Sequence, residues 1–128
     1  MTSAPRQSVL VADDEQGIRD LLRYTLEPLG FEVTTVCDGQ EALEAAQARS
    51  FDLVILDVHM PRLSGPEVLA KLRQLRPAQR VLVVSSSSDA SHSFETRAAE
   101  FGAAACLFKP VDIDELIGTI QQTLSGNA

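Results

Sequence analysis

The sequence predicts an α/β domain of the doubly wound type, in which five parallel strands carry helices on both faces. Short apolar runs alternate with segments whose apolar residues recur at helical spacing, and this βα unit occurs five times. The connections are short, and such alternation is typical of a parallel sheet covered on both sides. At 128 residues the chain has the length of one domain, predicted at 8–124 with short tails at 1–7 and 125–128.

The five predicted strands are short and rich in aliphatic or β-branched residues, as buried parallel strands are. They are Ser8–Ala12, Phe31–Val36, Leu53–Leu56, Val81–Val84 and Ala104–Phe108. The helical stripes that follow them run over Ile18–Leu29, Ala42–Ala46, Val68–Leu75, Phe94–Phe101 and Ile113–Leu124.

Several residues mark where these helices begin and end. Gly30 follows the first helical stripe, as glycine commonly follows a helix. Pro66 stands where the first turn of the third helix tolerates proline, and Pro77 ends that helix. Asp112 and Glu115 have the spacing of a capping box at the start of the last helix.

Composition excludes some classes of function. The formal net charge is −7, with scattered basic residues, so the chain repels nucleic-acid phosphates and direct nucleic-acid binding is not expected. No apolar run approaches the roughly 18 residues of a membrane span, and residues 1–7 lack an apolar signal core. We expect a cytoplasmic protein. Cys37 and Cys106 form no CxxC pair and are expected to be buried free thiols.

The polar residues at the carboxyl ends of the strands carry the candidate chemistry, because ligands of open parallel sheets bind there. Asp13 and Asp14 follow the first strand, Asp57 ends the third, Ser85 follows the fourth and Lys109 follows the fifth. Three converging carboxylates repel one another, and Mg²⁺ would relieve that repulsion. A lysine and a hydroxyl beside them suit phosphoryl transfer with a carboxylate as the nucleophile.

Each of these residues alone has a plain structural interpretation. An acid pair after a strand commonly begins a helix, where the helix dipole favours negative charge. Asp57 could be a turn residue and Ser85 a loop residue. The combination favours a functional site, because four separate strand ends deliver the residue types that one mechanism requires.

Four motifs then point to a family. They are VLVADDE at 9–15, LVILDVHMPRLSG at 53–65, VLVVSS at 81–86 and KP at 109–110. With them the sequence resembles the receiver domains of two-component response regulators, including stand-alone chemotaxis regulators, over Ser8 to Leu124. The resemblance implies a flavodoxin-like sheet with strand order 2-1-3-4-5.

The resemblance also implies roles for the site residues. Asp57 would be the phosphoacceptor, with Mg²⁺ held directly by Asp14, through water by Asp13, and by the backbone carbonyl of His59. Lys109 would contact the phosphoryl oxygens, and a hydroxyl residue, here Ser85, would move toward them.

The implied partners are proteins. The phosphoryl group would come from a phosphohistidine on a sensor histidine kinase or a phosphotransfer protein, and it would be lost again by hydrolysis. A downstream protein target would bind the face formed by the fourth helix, fifth strand and fifth helix.

The sequence departs from the family pattern at a few positions. Cys106 stands three residues before the lysine, where the family usually has an aromatic switch residue. Ser86 replaces a customary alanine or glycine but stays small. His59 and Ser87 occupy positions that line the entrance of the phosphoryl pocket in the family, and we hypothesise that they tune dephosphorylation.

Two other functions compete with the phosphorylated switch. A pseudo-receiver would keep the fold and only bind partners, although such modules usually lose an acid or the lysine. A Mg²⁺-dependent aspartyl phosphatase would need a substrate cap and a second acid two residues after Asp57, where His59 stands. Met1 lies just before the first strand and favours a native start, but a stand-alone receiver and a fragment of a longer protein both stay open.

Overall fold

The computed structural model describes residues 6–58, 60, 63–86 and 103–125. Within them the chain alternates between strands and helices. The strands are β1 (Ser8–Ala12), β2 (Glu32–Val36), β3 (Leu53–Asp57), β4 (Val81–Ser86) and β5 (Ala105–Lys109). The helices are α1 (Gln16–Leu26), α2 (Gly39–Ala48), α3 (Gly65–Leu75) and α4 (Ile113–Leu124), with a short 3-10 helix at Glu27–Leu29. The predicted helix around Phe94–Phe101 lies outside the described residues.

All five strands pair in parallel, in the order β2-β1-β3-β4-β5. This is the order 2-1-3-4-5 that the resemblance implied, and the predicted doubly wound α/β fold is confirmed. Parallel pairing places the carboxyl ends of all five strands at one edge of the sheet. There Asp57 of β3 pairs with Val84, and Ser86 of β4 pairs with Lys109.

The core consists of two apolar layers, one on each face of the sheet. Alternate residues of a strand point to opposite faces, so Leu10 joins one layer and its neighbour Val11 joins the other. The first layer packs against α2 and α3, and the second against α1 and α4. β3 is buried along its whole length, because both of its faces are covered.

The strand ends differ from the sequence prediction in one consistent way. β3 includes Asp57, β4 runs on to Ser86, and β5 includes Lys109, each of which was predicted to follow the apolar run. The parallel pairing continues beyond the apolar residues, because it joins backbone groups and does not depend on side-chain polarity. The backbones of these polar residues are therefore fixed by the sheet and not by flexible loops.

The helix ends mostly follow the predicted signals. α1 ends at Leu26, earlier than its apolar stripe, and the 3-10 helix follows. Gly30 then adopts a left-handed φ of 98°. Asp112 accepts a hydrogen bond from the backbone N–H of Glu115 (3.1 Å), which confirms the N-cap half of the predicted capping box. A reciprocal capping box also forms at the start of α3, between Ser64 and Glu67.

Among the residues that the structure describes, no helix has the length and apolar character needed to cross a membrane.

Gly65, the first residue of α3, brings the loop after β3 tightly against the strand. Its N–H donates to the carbonyl of Val58 (2.8 Å). A Cβ atom at this position would lie 2.6 Å from the carbonyl oxygen of Asp57 and 2.7 Å from the Cα of Val58. The absence of a side chain at Gly65 therefore allows the close approach that fixes the backbone around Asp57.

Gly65→Ala is expected to destabilise the protein by about 1–3 kcal/mol, because backbone must move to admit the methyl group. Gly17→Ala is the matched control. Gly17 lies in α1, and a methyl group there would meet nothing within 4 Å, so alanine should stabilise the helix by about 0.5–1 kcal/mol. Urea unfolding followed by circular dichroism measures both changes. Equal stability of Gly65→Ala and the wild type would contradict the close approach.

Candidate functional site

The polar residues predicted from the strand ends converge at the carboxyl edge of the sheet. Asp13 and Asp14 follow β1, and Asp57 ends the neighbouring strand β3. Ser85 lies in β4, one residue beyond the partner of Asp57, and Lys109 ends β5. Asp13, Asp57 and Ser85 are all buried, with at most 3% of their surface exposed.

Three carboxylates form the centre of the site. Oxygens of Asp13, Asp14 and Asp57 lie within 4.8 Å of one another, with Asp14 exposed to solvent and the other two buried. Burial raises the pKa of Asp13, and the N–H of Glu15 (2.9 Å) and the charge of Lys109 offset part of that rise. The negative charges are therefore held together at an electrostatic cost.

Lys109 supplies the positive charge of this cluster. Its Nζ lies 3.1 Å from Asp13 Oδ2, 3.5 Å from Asp57 Oδ2 and 2.7 Å from Glu15 Oε1. Burial lowers the pKa of Lys109, but the hydrogen bond to Glu15 and the charges of Asp57 and Asp13 outweigh it, so the pKa lies above its usual value. The ammonium is therefore held charged beside Asp57.

The donor set fits a hard divalent cation. The three aspartates outnumber the one lysine, and their oxygens are close enough together for a single ion to bind them. Mg²⁺ prefers carboxylate oxygens and keeps several waters, which the exposed side of Asp14 would admit. A divalent cation would also reduce the repulsion that burial leaves uncompensated.

Two contacts outside the predicted set hold the loop after β1 in place. Arg19, in the first turns of α1, donates from Nη1 to the carbonyl of Asp13 (2.7 Å). The N–H of Asp13 donates to the carbonyl of Val36 at the end of β2 (3.2 Å). The acid pair is thus anchored from both sides, and Asp13 is presented toward β3.

Glu15 and Arg19 both touch the site, although the sequence patterns predicted no role for either. Glu15 was part of the acidic motif after β1, and a third acid beside an acid pair is a weak signal by itself. Arg19 stands one helical turn beyond Glu15, so helical spacing from the acid pair is the signal that could have indicated it.

Some predicted residues lie at the limit of what the structure describes. His59 and Ser87 lie outside the described residues. The backbone of Ser86 pairs with Lys109 as the last residue of β4. Their predicted roles in metal binding and in tuning dephosphorylation stay predictions.

Cys106 lies on β5, partly buried, and packs against the first core layer beside Val83 of β4. Its Sγ is 3.9 Å from the carbonyl of Leu107. Phe108, two residues further on, points to the same side of the strand and is 42% exposed. The aromatic ring of Phe108, two residues from Cys106, is thus on the surface of the edge strand.

The expectation that both cysteines are buried is wrong for Cys37, which is exposed. Cys37 follows the edge strand β2, where no neighbouring strand covers it among the described residues. A hydrogen bond to Glu41 (3.2 Å) raises the pKa of its thiol. The raised pKa favours the protonated thiol over the thiolate.

The chain matches the family model of the response regulator receiver domain over residues 9–121. It is 35% identical, over 92% of its length, to the alkaline phosphatase synthesis transcriptional regulatory protein PhoP of Bacillus subtilis. It is 33% identical, over 94% of its length, to the DNA-binding transcriptional regulator NtrC of Azospirillum brasilense. It spans 48% of the first relative and 24% of the second.

Solved structures show the same fold. The chemotaxis response regulator CheY4 of Vibrio cholerae is 32% identical, with a TM-score of 0.83 over 93% of this chain and 99% of that one. A CheY-like receiver domain protein from Methanospirillum hungatei is 28% identical, with a TM-score of 0.87 over 95% and 96% of the two chains.

Lys109→Met is expected to destabilise the metal-free protein by about 1–3 kcal/mol, because three carboxylates lose their shared cation. Added Mg²⁺ should restore part of the loss by neutralising the same charges. Thermal unfolding in EDTA and in Mg²⁺ measures both effects.

Lys71→Met is the control for this substitution, since Lys71 is the chain's other lysine and lies exposed on α3. Its effect should stay within about 0.5 kcal/mol. Equal destabilisation by the two substitutions in EDTA would show that Lys109 does not balance the carboxylates.

Proposed function

Because this chain belongs to the response regulator receiver domain family, we propose that it is a phosphorylation-controlled switch whose phosphoacceptor is Asp57. One observation carries the proposal: the buried carboxylate of Asp57 lies within 4.8 Å of two further carboxylates and 3.5 Å from the ammonium of Lys109. A nucleophilic carboxylate, a metal-ligand set and a fixed cation are the parts that phosphoryl transfer requires.

In the proposed reaction an oxygen of Asp57 attacks the phosphorus, and the bond between phosphorus and the donor's leaving group breaks. The ammonium of Lys109 neutralises charge on the phosphoryl oxygens, and the hydroxyl of Ser85 donates a hydrogen bond to one of them. Bound Mg²⁺ would add further charge neutralisation and orient the phosphoryl group.

The proposed metal ligands are Asp14 and Asp57, Asp13 through a water, and the backbone carbonyl of His59. The arrangement of the acid pair supports this assignment, because Asp13 is buried and already contacts Lys109, whereas Asp14 is exposed and accessible to an incoming ion. The small side chain of Ser86 would leave Asp57 accessible to the donor.

We propose that the donor is a phosphohistidine on a sensor histidine kinase or a phosphotransfer protein in the cytoplasm. A downstream protein would bind the face formed by the predicted fourth helix, β5 and α4. The exposed ring of Phe108 on β5 supports this face as a contact surface. The net charge of −7 argues against direct contact with nucleic acid.

The presence of Cys106 implies that this chain does not transmit its signal by the inward turn of an aromatic ring, because the family's usual aromatic residue is absent from that position. Its thiol packs against the core beside Val83 and cannot reproduce the volume or the motion of an aromatic side chain. We propose that output proceeds through shifts of the loop after β4 and the helix predicted beyond it. The phosphorylation chemistry should be unaffected, because it needs no ring at this position.

Incubation of the purified protein with Mg²⁺ and acetyl phosphate is expected to add one phosphoryl group, because the site holds its nucleophile and cation together. Intact mass spectrometry measures the gain. Asp57→Asn should abolish it by removing the nucleophile, and EDTA should abolish it by removing the metal. Asp52→Asn, at an aspartate outside the site just before β3, should retain it.

Other results would select another function. No mass gain, even with a phosphorylated kinase as the donor, would favour a pseudo-receiver that acts by binding alone. Continuous release of phosphate from small esters at high turnover would favour a Mg²⁺-dependent aspartyl phosphatase.

His59→Ala is expected to change the lifetime of the phosphorylated form by several-fold. His59 stands two residues after the phosphoacceptor, and its side chain at the pocket entrance would control the access of water to the phosphoryl group. The decay of the phosphorylated mass after removal of acetyl phosphate measures the lifetime. An unchanged lifetime would remove His59 from the set of tuning residues, and the same experiment on Ser87→Ala tests the second predicted position.

A further inference from the structure

Glu15 makes the shortest of the three carboxylate contacts to Lys109, although its side chain is the most exposed of the three. Its Oε1 lies 2.7 Å from Nζ, compared with 3.1 Å for Asp13 and 3.5 Å for Asp57. The side chain of Glu15 is 59% exposed, whereas those of Asp13 and Asp57 are 4% and 3% exposed. The ammonium is therefore drawn toward the solvent side of the site.

The backbone of Glu15 is held by hydrogen bonds, whereas its exposed carboxylate can move away from Lys109 into solvent. Its N–H donates to Asp13 Oδ1 (2.9 Å), and its carbonyl accepts from the N–H groups of Ile18 and Arg19 (both 3.1 Å) as α1 begins. The carboxylate lies outside the group of three aspartates that could hold a metal. The Glu15 side chain can therefore contact Lys109 or move away from it while the Glu15 backbone stays in place.

An ammonium has three N–H donors, and Lys109 already faces three carboxylates. A phosphoryl group on Asp57 would add further acceptors that need the same cation. Asp13 and Asp57 are held by the sheet and by burial, so the contact most easily given up is the exposed one, to Glu15. The carboxylate of Glu15 and the phosphoryl oxygens would also repel each other.

We propose that Glu15 is a latch on Lys109: it holds the ammonium in the unphosphorylated protein and competes with the phosphoryl group for it. The inference rests on the proposed function and assigns Glu15 as a positioning residue that acts through Lys109. Glu15 would thereby destabilise the phosphorylated state relative to the unphosphorylated one and favour dephosphorylation.

Beryllofluoride, a stable mimic of a carboxylate-bound phosphoryl group, tests the competition. Glu15→Gln keeps the shape of the side chain and removes its charge. In the presence of Mg²⁺ it should lower the apparent Kd for beryllofluoride by about two- to fivefold at low salt, the range expected of a partly exposed ion pair. The difference should shrink as ionic strength rises, because exposed charges are screened.

Asp20→Asn is the matched control, since it removes one exposed charge from α1, the helix that begins directly after Glu15. Its Kd should equal that of the wild type. Glu15→Asp retains the charge on a shorter side chain and should give an intermediate Kd, because contact with Lys109 is weakened. An equal or higher Kd for Glu15→Gln, or the same decrease for Asp20→Asn, would overturn the latch.

A metal-free measurement tests the contact itself. The chain has only two lysines, Lys71 and Lys109, so the ¹³Cε–¹Hε signals of the lysines report Lys109 with Lys71 as an internal reference. In EDTA, Glu15→Gln should shift the Lys109 signal and leave that of Lys71 unchanged, and Asp20→Asn should shift neither. An unmoved Lys109 signal would show that the latch contact does not form in solution.

The two proposals fail in different ways. If the wild type binds no beryllofluoride and gains no phosphoryl mass, the proposed function is wrong and the latch is wrong with it. If the wild type does both, and Glu15→Gln binds beryllofluoride with the same Kd, only the latch is wrong.

Discussion

The crowding of carboxylates at the carboxyl edge of the sheet is the constraint on which the rest of the structure depends. β1 and β3 are neighbours, so Asp13, which follows β1, and Asp57, which ends β3, are brought together whatever their charge. Burial makes that proximity costly. The compensating cation comes from β5, and Lys109 must reach across β4 to meet Asp57. Ser85 on β4, the strand between them, is fully buried.

Such an arrangement needs a rigid scaffold, because a small separation of the strand ends would let water reach the buried carboxylates and break their contacts with Lys109. The two apolar layers supply that rigidity by covering both faces of β1, β3 and β4. Local contacts then fix the loops: Arg19 binds the carbonyl of Asp13, and Gly65 lies directly against the backbone of Asp57. The favourable free energy of apolar packing elsewhere in the domain thus offsets the repulsion between the carboxylates at the edge of the sheet.

The parallel topology explains which parts of the site could be predicted from the sequence. Once the strands were placed, Asp13, Asp57 and Lys109 were expected at one edge of the sheet, because each lies at or just after the carboxyl end of a strand. The contact between Glu15 and Lys109 joins residues 94 positions apart through a half-exposed side chain, whose direction no local pattern specifies. The exposure of Cys37 likewise depends on which strands lie at the edge, and apolar periodicity does not report that.

Lys109 also connects the chemistry to the proposed output surface. It ends β5, the edge strand on which the partly buried Cys106 and the exposed Phe108 lie on the same side. A change at Asp57 that redirects the ammonium therefore acts on the end of this strand without any intervening ring. With cysteine at the usual aromatic position, the covalent link between Lys109 and Phe108 joins the carboxylate cluster to an exposed side chain without requiring any side chain to turn inward.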